Sequence, residues 1–139
     1  MRILVIDDEA DYRYLLAVGL GLEGHEVMEA HEVVGGLALA SETNPDVVLI
    51  DLVMVGGGGM SLLPRLRRAC PRSALVFHTV ERERALPMVG HPAGPDGLLD
   101  KGMPPRELAE ALAGIVAVHR SRIDASDASD GDRGSASHH

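Results

Sequence analysis

The sequence predicts an α/β domain built on a parallel sheet, and three observations carry that prediction. Short, continuous, β-branched runs such as Ile3–Ile6 and Val47–Ile50 read as strands buried on both faces. Segments with helical spacing of apolar residues separate them. The strand–helix alternation repeats five times within a chain of 139 residues, 45% of them apolar, which is one domain's length with enough material for a core.

Each element follows from its residues. Ile3–Ile6 is the first strand. A helix follows, with Tyr12, Leu15, Leu16, Gly19 and Leu22 on one face and Gly24 at its end. His25–Ala30 is a weaker second strand. Val33–Glu42 returns to helical spacing through Val33, Val34, Leu37 and Ala38, until Asn44-Pro45 breaks it. Val47–Ile50 is the strongest strand, with Asp51 at its end. Gly56–Gly59 reads as a turn, because it lacks the phosphate-loop pattern of glycines followed by Lys and Ser or Thr. Met60–Cys70 is helical, with Leu62, Leu63, Leu66 and Cys70 facing inward, and Pro71 stops it. Ala74–Phe77 is the fourth strand, ending at His78-Thr79. Glu81–Gly90 is a short or kinked helix because Pro87 interrupts it. Leu98-Leu99 makes a brief fifth strand ending near Lys101. Pro104-Pro105 then opens an amphipathic helix through Leu108, Leu112, Ile115, Val116 and His119. Right-handed crossovers favour the strand order 2-1-3-4-5, a flavodoxin-like sheet whose ligands bind beyond the strands' carboxyl ends.

Composition changes at about Arg122. Residues 1–121 read as the domain. Residues 122–139 are rich in Ser, Asp, Ala and Gly and read as a disordered tail or linker, with His138-His139 a possible tag remnant. The net charge is −8; four aspartates against two arginines give the tail −2, leaving −6 for residues 1–121. An acidic domain does not present the basic field that nucleic-acid binding requires. The longest apolar stretch, Val47–Val55, is broken by Asp51 and falls short of the roughly 20 residues of a membrane span. The start has no signal-peptide pattern. One cysteine, Cys70, excludes an internal disulfide. These features together lead us to expect a cytoplasmic protein.

The chemistry-bearing residues fall at strand ends: Asp7 and Asp8 after the first, Asp51 after the third, Thr79 after the fourth, Lys101 after the fifth. Read singly, each could cap a helix or sit in a turn. Read together on one rim, they fit phosphoryl transfer. Crowded carboxylates need compensation, and Mg²⁺ supplies it with few protein ligands. Asp51 can serve as a carboxylate nucleophile, and Lys101 and a Thr79 hydroxyl can neutralise or bind phosphoryl oxygens. The histidines show no metal-ligand spacing, although His78, beside Thr79, could tune the site.

Taken in order, Asp7-Asp8-Glu9, the run Val47 to Gly59 around Asp51 and Met54, Thr79, and Asp96-Gly97-Leu-Leu-Asp-Lys101 resemble the response-regulator receiver family over residues 1 to about 121. That resemblance implies that Asp51 is the phosphoacceptor, and that Asp8, Asp51 and the Val53 carbonyl ligate Mg²⁺ directly, with Asp7 acting through water. It implies that Thr79 and Lys101 hold the phosphoryl oxygens. It implies a phosphoacceptor switch rather than an enzyme. A sensor histidine kinase or histidine phosphotransferase would be the donor, and an output domain or downstream protein the reader. The sequence departs from the family at Val55 and Gly102, where proline is common, at Leu98, where an aromatic is common, and at Val80, where a smaller residue is common. Lys101-Gly-Met-Pro-Pro-Arg-Glu-Leu108 resembles receivers joined to a LuxR-type helix-turn-helix output. The alternative is a degenerate receiver that binds partners without phosphorylation. A flavoprotein is disfavoured because no Ser/Thr-rich phosphate loop follows the first strand.

Overall fold

A computed structural model describes residues 1–54, 59–80, 83, 86–88 and 90–137. The strands are β1 (Arg2–Ile6), β2 (Glu26–Ala30), β3 (Val47–Asp51), β4 (Ala74–Thr79) and β5 (Gly97–Asp100). The helices are α1 (Ala10–Leu22), α2 (Val33–Thr43), α3 (Gly59–Ala69) and α4 (Pro105–Ser137). All strand pairs are parallel and the order is β2-β1-β3-β4-β5, as predicted. The turn expected over Gly56–Gly59 lies outside the described residues apart from Gly59, which begins α3. Of the helix expected over residues 81–90, the described part holds a single 3₁₀ turn, Leu86–Met88, with Pro87 inside it.

Strand parity divides the core into two layers. Leu4, Ile6, Val48, Ile50, Leu75 and Phe77 point to one face, where Leu62, Leu63 and Leu66 of α3 and Ala40 of α2 cover them. Ile3, Val5, Val47, Leu49, Ala74 and Val76 point to the other, under Leu16 and Leu20 of α1 and Leu108, Leu112 and Val116 of α4. Each fully buried aliphatic side chain stabilises the fold by roughly 1.5–3 kcal/mol. Cys70 closes the α3 layer at 1% exposure, its thiol donating to the Leu66 carbonyl at 3.3 Å.

Two helix faces differ from the sequence reading. In α1 the buried pair is Leu16 and Leu20, while Leu15 and Leu22 are 66% and 83% exposed. Several leucine stripes fit a helical period, and the one that meets the sheet also carries Tyr12 and Gly19. A Cβ at Gly19 would lie 2.5 Å from Cγ of Pro105, so glycine there lets the start of α4 approach. In α2, Val34 is exposed and Gly36 and Ala40 are the buried residues, because the helix lies close upon Ile6. In α2 the hydrophobic reading chose the larger side chains, whereas close packing chose the smaller ones.

The C-terminal segment also differs. Composition predicts disorder from about Arg122, yet α4 continues to Ser137. Arg72 meets Asp124 at 3.2 Å and Asp127 at 3.4 Å, which ties the helix to the turn before β4.

Candidate functional site

The rim follows from strand parity. Counting by twos from the α1/α4 layer, Ile3 and Val5 lead to Asp7, Val47 and Leu49 to Asp51, Ala74 and Val76 to His78, and Leu99 to Lys101. Those four side chains therefore emerge together on one side of the sheet's carboxyl edge. Thr79 follows Leu75 and Phe77 on the opposite parity.

The structure brings the expected residues together. Oxygens of Asp7, Asp8 and Asp51 lie within 4.8 Å of one another. Asp7 and Asp51 are buried, at 2% and 8% exposure, and Asp8 is exposed. The Lys101 ammonium sits between the buried pair, 2.7 Å from Asp7 Oδ2 and 3.3 Å from Asp51 Oδ2. The remaining oxygens take backbone donors: Glu9 N–H donates to Asp7 Oδ1 at 2.9 Å, and Val53 N–H to Asp51 Oδ1 at 3.1 Å. Asp8, Glu9, Asp51, Val53, Thr79, Val80 and Lys101 line a depression of about 470 Å³ above them. Thr79 is buried, and Val80 stands 80% exposed at the edge. Val55, a departure noted above, lies outside the described residues. The Lys101–Gly102 bond is trans, since no peptide bond among the described residues is cis.

The electrostatics follow from this crowding. Burial raises the Asp51 carboxyl above the usual range; the Val53 N–H and Lys101 oppose the shift, and the Asp7 charge adds to it. Burial alone would lower the Lys101 ammonium, but Asp7 and Asp51 outweigh it, so the lysine is held firmly charged. Oxygen-only donors with a surplus of negative charge suit a hard divalent cation such as Mg²⁺.

Two further residues belong to the site. The Tyr12 hydroxyl donates to the Lys101 carbonyl at 2.9 Å and lies 3.2 Å from His78 Nε2. The Lys101 ammonium stands 4.7 Å from the centre of the Tyr12 ring. Burial lowers His78 to about 4, helped by the Lys101 charge, so the ring is neutral at physiological pH. Burial and the nearby acids raise the Tyr12 phenol, which stays protonated. The sequence reading used Tyr12 only as core and gave His78 a loose tuning role. The parity count places His78 beside Asp51, its neighbour in the ladder, and would have found it.

Residues 3–113 match the model of the response regulator receiver domain. The chain is 31% identical over 116 residues to the phosphate regulon regulatory protein PhoB of Pseudomonas aeruginosa, covering 82% of this chain and 51% of that one. It is 35% identical to ResD of Bacillus subtilis (83% and 48%) and 30% identical to PilH of P. aeruginosa (84% and 98%). It thus spans about half the length of the two regulators and nearly all of PilH. Among solved structures, a receiver domain from Clostridium thermocellum superposes with a TM-score of 0.74 at 26% identity, covering 88% of this chain and 97% of that one. A Burkholderia pseudomallei response regulator with a phosphorylated aspartic acid and a calcium ion gives a TM-score of 0.72 at 27% identity, covering 93% and 74%. With sheet order, acidic rim and family match in agreement, this chain belongs to the response-regulator receiver domains, the phosphoacceptor switches of two-component signalling.

Proposed function

We propose that Asp51 is the phosphoacceptor, and that residues 1–121 are the switch unit. The observation that carries this reading is the placement of Asp51 on the depression floor, beside Asp7, Asp8 and the Lys101 ammonium. An Asp51 carboxylate oxygen attacks the phosphorus of a phosphohistidine. The new O–P bond forms as the P–N bond breaks, and the imidazole departs with its electron pair. Lys101 transfers its attraction from the carboxylates to the phosphoryl oxygens, and Thr79 donates its hydroxyl to one of them. Asp8, Asp51 and the Val53 carbonyl would hold Mg²⁺ directly and Asp7 through water. Bound there, the ion supplies neutralising charge for the phosphoryl oxygens.

The partners proposed are a sensor histidine kinase or histidine phosphotransferase, and an output domain or downstream protein. The relatives of which the matching stretch covers only about half support the latter. The LuxR-type output stays a proposal resting on the residues after Lys101. No described helix is long and apolar enough to cross a membrane, and the cytoplasm, where such kinases place their phosphate, is the proposed compartment.

Intact-mass measurement after incubation with Mg²⁺ and a small phosphodonor tests the reading. A labile phosphate adduct is expected, lost in Asp51→Ala and without Mg²⁺. An adduct that persists in Asp51→Ala would place the acceptor elsewhere. No adduct, even with a phosphorylated kinase as donor, would favour the degenerate binding module.

A further inference from the structure

Lys101 faces a mechanical problem. It must hold a phosphoryl group, yet it stands at the very end of β5 and is followed by Gly102, an exposed residue with no atom within 4 Å of the place a Cβ would occupy. Glycine is the residue with the most backbone freedom to lose. The sheet fixes only one side of the lysine, through its N–H, which donates to the Thr79 carbonyl at 3.2 Å. Its carbonyl leads into the Asp100–Met103 turn, closed by the Met103 N–H on the Asp100 carbonyl at 3.3 Å, which leaves the Lys101 carbonyl to another donor.

The structure closes that gap from α1. The Tyr12 hydroxyl donates to the Lys101 carbonyl at 2.9 Å, and the Tyr12 ring lies 4.7 Å beneath the ammonium of the same residue. One side chain therefore holds both ends of the lysine. The phenol oxygen also lies 3.2 Å from His78 Nε2, which fixes it from a second side. His78 is 2% exposed, and its ring stacks at a tilt against Tyr12 with centroids 5.6 Å apart, so it cannot easily swing away. We infer that Tyr12, oriented by His78, is a positioning residue that holds Lys101 for phosphoryl transfer to Asp51.

This rests on the phosphoacceptor reading and adds a term that Asp51, Lys101 and Thr79 alone do not contain. Tyr12 touches neither the acidic oxygens nor the phosphoryl group directly. Its effect must pass through Lys101, whose ammonium competes with Mg²⁺ for Asp7 and Asp51, so a loosened lysine does not weaken metal binding.

The test measures two quantities on the whole chain: the phosphorylation rate with a small phosphodonor at saturating Mg²⁺, and Mg²⁺ affinity by calorimetry. Tyr12→Phe keeps the ring and removes the tether. It is expected to slow phosphorylation about tenfold, the scale of one lost hydrogen bond, while Mg²⁺ binds no more weakly. A general structural role would weaken Mg²⁺ binding along with the rate, since the carboxylates would move too. An unchanged rate, or a joint fall of rate and Mg²⁺ affinity, overturns the inference. Should Tyr12→Phe fail to fold, His78→Leu takes its place, with a smaller fall in rate at unchanged Mg²⁺ affinity expected and an unchanged rate overturning it. A wild type that accepts phosphate on Asp51 with Tyr12→Phe just as fast removes this inference alone. A wild type that accepts none removes the phosphoacceptor reading and this inference together.

Discussion

At the scale of single residues, the site stores unfavourable charge. Asp51 is buried beside Asp7, and its carboxyl is raised by that burial. A raised carboxyl contributes stability only while protonated, below about pH 4, and that contribution is lost as pH rises through the folded value. Ionising Asp51 therefore weakens the fold, because burial disfavours its charged form. Asp51→Asn should melt roughly 3–5 °C higher at pH 7, the scale of 1 kcal/mol in a domain of this size, and the gain should vanish on acidification. Differential scanning calorimetry at several pH values checks it. His78 acts in the opposite sense. Its value falls from 6.5 to about 4 on folding, so the unfolded chain binds the extra proton between those limits. Stability contributed by the neutral ring is intact above pH 6.5 and is lost as pH falls toward 4, at most about 3 kcal/mol. His119, lowered chiefly by burial, adds in the same direction. Urea titrations from pH 7 to 4 should show a shallower acid slope for His78→Leu than for the wild type; equal slopes would mean that His78 titrates normally in the fold.

At the scale of elements, small residues decide how helices lie. Gly21 and Gly19 look alike in sequence, two glycines in one helix. Gly21 has open space where a Cβ would go, while Gly19 faces the Pro105 ring. Gly21→Ala should stabilise by up to about 1 kcal/mol through helix propensity. Gly19→Ala should destabilise by roughly 1–3 kcal/mol through overpacking. Denaturant midpoints of the two variants separate the cases. The same contrast explains which parts of the fold were legible beforehand. Strands β1, β3 and β4 announce themselves because burial on both faces leaves an unbroken aliphatic run. The inward face of α1 does not, because Leu15 and Leu22 satisfy a helical period as well as Leu16 and Leu20 do. Only the position of the sheet and α4 chooses between them. At the site, acidic and basic residues at strand ends are visible as punctuation, whereas Tyr12 reads as core until its hydroxyl is seen beside Lys101.

At the scale of the whole molecule, the packed unit ends before the chain does. Leu108 to His119 of α4 cover the sheet, while residues 124–128 are exposed and reach the rest of the fold through Arg72. Exposed ion pairs contribute about 0–1 kcal/mol. Truncation after Ser121 should therefore shift the melting temperature by no more than a few degrees and leave the phosphorylation proposed at Asp51 unchanged, while helical circular dichroism per chain falls. A large loss of stability would make the distal part of α4 integral to the domain. The strand order was predictable at this scale because five βα units leave few right-handed arrangements. The length of α4 was not, since composition reports the lack of a core but is silent on helix growth from an anchored end.

Cys70 gives this molecule a clock of its own. As the single sulfhydryl, sealed at 1% exposure at the C-terminal end of α3, it reacts with a thiol reagent when the packing around that helix end parts. The rate of its capture counts those partings one by one. Because α3 is the next helix after Asp51, the count reads how tightly the region behind that carboxylate is shut, with no label added to the chain.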